Sequence, residues 1–132
     1  MSPKEQLDVE TVKRLALSAR AALPEPFRAL AGEVGLACLD RATDEMLDAL
    51  DIADPLDLTG LYEGTPLPEK SVMDAVPSGD VIWLFSDAIL AEWRDRGDVS
   101  LADLVAHVYV HELAHHLGWS DDEIAAIDPW WT

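Results

Sequence analysis

The stretch from Leu101 to Leu117 constrains the fold more than any other. Leu101, Leu104, Val105, Val108, Val110, Leu113 and Leu117 lie nearly all round a helix of about 3.6 residues per turn, the pattern of a buried central helix. Ser100 with Asp103 opens this helix and Gly118 closes it. The same segment carries His107, His111, Glu112, His115 and His116. Ionisable groups inside a buried helix are costly unless a partner satisfies them.

A metal ion is the partner that the spacing suggests. His111-Glu112-Leu113-Ala114-His115 reads H-E-x-x-H. On a helix, residues four apart share a face with Cβ atoms about 6 Å apart, so His111 and His115 can reach one ion. Zinc takes neutral imidazole nitrogens, and a catalytic zinc site uses three protein ligands and leaves one position open. Glu112 is turned about 100° from His111, beside such an ion rather than on it. That is where a base belongs.

The third ligand requires the chain to turn back. Gly118 can take the left-handed conformation that ends a helix, which would bring Asp121 towards the ion. Asp122 and Glu123 are its nearest substitutes. After a cap at Ser120, all three acids also suit the first turn of a further short helix. His107 continues the His111–His115 line but lies about 12 Å from His115, too far to share the ion. It is expected to sit in the core or behind the ligands, held by Asp103. His116 points about 100° away from His115, either pairing with Glu112 or facing the helix end.

Charge narrows the partners. Against 26 Asp and Glu there are 9 Lys and Arg, a net charge of −17. Nucleic acid and anionic membrane surfaces are excluded as partners, because both need clustered cations. After Arg96 the chain has no Lys or Arg, yet all four histidines lie there. No fixed cation in that region competes with a metal. Elsewhere the acids read as solvated surface. A lone Cys38 rules out an internal disulfide, and with no apolar leader or membrane-length apolar run the expected compartment is the cytoplasm.

The remaining elements follow from local signals. A leading helix opens at Ser2-Pro3 and runs through Val12, Leu15, Ala16 and Ala19 until Pro24 and Pro26 stop it. Val34–Leu39 reads as a short strand, and Thr43–Leu50 as a short helix. Residues 51–80 are mostly loop, with Gly60–Gly64 extended. Val81–Phe85 is the best strand, followed by a helix capped by Ser86 and ended by Gly97. Residues 1–132 are thus expected to form one α+β domain, a small sheet packed beside a central H-E-x-x-H helix.

The pattern H-E-x-x-H-x-x-G-x-x-D from His111 to Asp121, with Leu23-Pro24, Gly60–Leu67 and Asp80–Phe85, resembles the small bacterial zincin-like metallopeptidases, a minimal zincin fold. The resemblance implies one zinc ion on His111, His115 and Asp121, Glu112 as general base, and a peptide or unfolded protein as substrate. Met1, Met46 and Met73 all precede the motif, so the Met-turn of the metzincins is not expected. With only 11 residues after Asp121, an open groove is expected rather than a deep cleft. An extended peptide is expected to add to a sheet edge beside the active-site helix, with Val81–Phe85 the strand expected nearest, and a neutral or basic one suits the charge. Tyr62 is the tyrosine a loop could bring to the site as a second electrophile; Tyr109 lies on the far side of the helix. The competing reading is a non-catalytic zinc-binding interaction module, which would have no need of Glu112.

Overall fold

The computed structural model of the protein describes residues 3–64 and 80–118. Helix α1 spans Pro3–Ala21 and short helix α2 spans Phe27–Ala31, followed by strand β1, Gly35–Leu39. Helix α3 covers Asp44–Leu50, and a single 3-10 turn at Pro55–Asp57 leads into strand β2, Gly60–Glu63. Strand β3, Val81–Phe85, runs directly into helix α4, Ser86–Arg96, and helix α5 covers Leu101–His116. The arrangement is the expected small α+β fold.

The sheet has the order β1-β3-β2, with β1 parallel and β2 antiparallel to β3. Leu36 pairs with Ile82 and Cys38 with Leu84 on one side, while Tyr62 pairs with Ile82 and Gly60 with Leu84 on the other. The continuous apolar run of β3 fits a strand enclosed by neighbours and buried on both faces. This refines one expectation. Val81–Phe85 has no open edge for a peptide, because both its sides are taken; β1 and β2 are the edges among the described residues.

Alternation along the strands divides the interior in two. Ile82 and Leu84 face α1 and α5, where Val12, Ala16, Leu104, Val105, Val108, Tyr109 and Leu113 complete the main core. Phe85 packs on the opposite face with Ala42, Leu47 and Ala88, and partly buried Trp83 and Leu61 join them. Cys38 belongs to the main core's margin, and burial pushes its thiol up to about 11, with nearby Lys13 opposing. It therefore remains a neutral thiol at physiological pH.

Helix ends follow the sequence at some points and depart at others. Thr43 caps α3, its hydroxyl accepting from Met46 N at 3.2 Å. Gly97 ends α4 in the left-handed region, at φ 71°. The cap of α4, however, is Phe85, not Ser86, which is the first helical residue and fully buried. The strand enters the helix without a loop, so the cap position falls on its last residue. Helix α2 is an addition to the expected elements, since five residues between Pro26 and Gly32 offer no periodicity to read. The helix expected after Ser120 lies outside the described residues, as does Ser2. No helix of the described residues is long and apolar enough to cross a membrane.

Candidate functional site

The rotation of α5 is set by its core face. Ser100 Oγ accepts from Asp103 N at 3.0 Å and starts the helix, and Leu104, Val105, Val108, Tyr109 and Leu113 are buried. That leaves His107, His111 and His115 half-buried along another face. The imidazoles of His111 and His115 converge, with Nε2 atoms 3.2 Å apart and ring centroids 4.9 Å apart. Two nitrogens held tetrahedrally on one zinc at roughly 2.0–2.1 Å lie about 3.3 Å from each other. The donor set therefore fits such an ion. Among the described residues no third His, Cys, Asp or Glu joins this pair to form a metal-holding group. Asp121, like Asp122 and Glu123, lies outside the described residues.

Glu112 stands where the helix meets the sheet edge. Its Cγ would be 3.2 Å from a Cβ placed on Gly60, the first residue of β2. Only a glycine lets α5 and β2 approach so closely. Next to it opens a cleft of about 210 Å³ lined by Thr59, Val108, His107, His111, Glu112, Glu92 and Arg96. Glu92 and Arg96 form an ion pair across one turn of α4, at 3.4 Å. The sequence did not single them out, because an i,i+4 pair at a helix end is ordinary. Its importance depends on α4 packing against α5.

His107 faces this cleft, with its ring 6.4 Å from that of His111. Its pKa is held below the ordinary value, first by burial, then by His111 and Arg96, with Glu92 opposing. Tyr109 is buried in the core, as its position round the helix implies, and burial raises its pKa against the nearby Arg20.

His116 sits in the last turn of α5, at the helix end as expected, and makes contacts with the sheet besides. It turns into the interior, 2 % exposed, with Nδ1 at 2.9 Å from Tyr62 Oη and 3.3 Å from Asp80 Oδ2. Tyr62 also donates to Asp80 Oδ2 at 3.2 Å. Its hydroxyl thus lies on His116 and Asp80. Asp80 directly precedes β3 in the sequence, and nothing local marks it as the partner of a histidine 36 residues later.

A helix presenting two converging histidines with a glutamate between them, beside the edge of a small sheet, is the arrangement of the H-E-x-x-H metallopeptidases. The chain belongs to the zincin-like metallopeptidase family, whose model matches residues 31–131. Membership carries with it zinc binding and peptide substrates as the family's chemistry. No curated protein matches the sequence.

Proposed function

We propose that the protein is a zinc-dependent peptidase in which His111, His115 and Asp121 hold one ion and Glu112 is the general base. The observation that carries this reading is the convergence of the His111 and His115 Nε2 atoms, 3.2 Å apart, with Glu112 set between the helix and the edge strand. Zinc in that site supplies Lewis acidity, polarising a carbonyl and acidifying water. The Glu112 carboxylate takes the proton of the attacking water and delivers it to the leaving amine nitrogen. An extended peptide is best received at β2, the edge strand that lies against α5. The net charge of −17 favours neutral or basic segments.

Replacing Glu112 by Gln tests the reading on a quenched peptide library, with zinc content measured alongside. Cleavage should fall by about 10²–10⁴-fold while zinc is retained. Unchanged cleavage would remove Glu112 as the base. Zinc held by both forms with no cleavage by either would favour a non-catalytic zinc-binding module.

A further inference from the structure

The end of α5 is tied to the sheet by a buried polar cluster that the chemistry above does not use. Its members come from three places in the chain: Tyr62 on β2, Asp80 just before β3, and His116 at the last helical position. Three contacts of 2.9, 3.2 and 3.3 Å close a triangle between Tyr62 Oη, His116 Nδ1 and Asp80 Oδ2. With Tyr62 donating to Asp80, its oxygen is left to accept from a His116 that carries its proton on Nδ1, and that nitrogen also stands 3.3 Å from the carboxylate. The Asp80 and His116 side chains are 4 % and 3 % exposed. Gly64, at φ 148°, presses on the same cluster; a Cβ there would collide with the Asp80 carboxylate and lie 2.9 Å from Tyr62 Oη.

We propose that Tyr62, Asp80 and His116 form a latch that positions the metal ligand His115 and the base Glu112 against β2. The idea rests on the proposed roles of those two residues. His116 is bonded directly to His115, and β2 carries both Tyr62 and the Gly60 that supports Glu112. Fixing His116 to β2 therefore fixes both ends of the site. Stability alone is a weak reason for such a cluster, since buried ionic groups are often replaced by apolar ones at no loss. Geometry is the stronger reason. Helix ends fray, and metal ligands need placement to within about 0.5 Å.

The experiment measures zinc affinity by competition with a chelator, and the visible absorption spectrum of the cobalt-loaded protein. Both are read on wild type and on Tyr62→Phe, His116→Leu and His116→Asn, with folding checked by circular dichroism. Tyr62→Phe and His116→Leu should weaken zinc about tenfold or more and alter the cobalt bands. His116→Asn, which keeps a donor where Nδ1 stands, should restore both towards wild type. If His116→Leu fails to fold, Tyr62→Phe decides the matter, because it deletes a single oxygen. Variants that melt earlier yet keep wild-type zinc affinity and cobalt spectrum would reduce the cluster to a structural one. If wild type itself takes up neither metal, the zinc site and the latch fall together; if it does and the variants match it, only the latch falls.

Discussion

Gly60 and Glu112 are in contact across the junction of β2 and α5: a methyl group on Gly60 would stand 3.2 Å from Glu112 Cγ and 2.9 Å from Val108 Cγ1. Val108 is buried and β-branched, so it cannot swing away. Gly60→Ala should therefore destabilise by about 1–3 kcal/mol, the usual range for overpacking. It should also displace Glu112, lowering cleavage while leaving zinc content intact. A thermal melt, a zinc assay and the peptide assay on one preparation check all three. Wild-type activity in a folded Gly60→Ala protein would show that Glu112 tolerates the displacement.

His107 gives the protein a pH-dependent stability of known sign. Its pKa lies below the ordinary value of 6.5 because burial, His111 and Arg96 all disfavour the charged ring, while Glu92 opposes them. Below pH 6.5 the unfolded chain takes up a proton that the folded protein still refuses. Stability contributed by the neutral ring is thus complete above that pH and is lost as pH falls through the window beneath it. His107→Asn should flatten the fall of melting temperature between about pH 7 and 5. Melts of both proteins across that range test this, and parallel curves would contradict it.

Sequence legibility tracked how local each signal was. The start of α5 at Ser100, the reversal at Gly97 and the limits of β3 depend on residues within a few positions of each other. The convergence of His111 and His115 follows from helical spacing, which needs no tertiary information. The position of β3 within the sheet does need it, although its unbroken apolar run was a usable hint that it lay at the centre. The partners of His116 were out of reach. Tyr62 and Asp80 meet only because β2 and β3 pair antiparallel beneath the end of α5. Arg96 and Glu92 were hidden for a similar reason, since α4 and α5 come together only in the packed domain.

Two left-handed glycines separate backbone strain from effects on the site. Gly97 has φ 71° and nothing within 4 Å of where a Cβ would stand; Gly118 has φ 83°, and its N–H donates to His115 O at 2.9 Å. Alanine at either position must adopt a conformation costing roughly 1–2 kcal/mol, so both variants should melt earlier by comparable amounts. Only Gly118 lies between His115 and Asp121. If Asp121 completes the ligand set, strain that relaxes by opening the Gly118 turn moves that carboxylate away from the ion. About 1.4 kcal/mol lost there corresponds to a tenfold fall in zinc affinity. Gly97→Ala should keep wild-type affinity, whereas Gly118→Ala should lose about that factor, both measured by chelator competition. Equal affinities in the two variants would detach the turn from the metal site and, with it, the case for Asp121 as the third ligand.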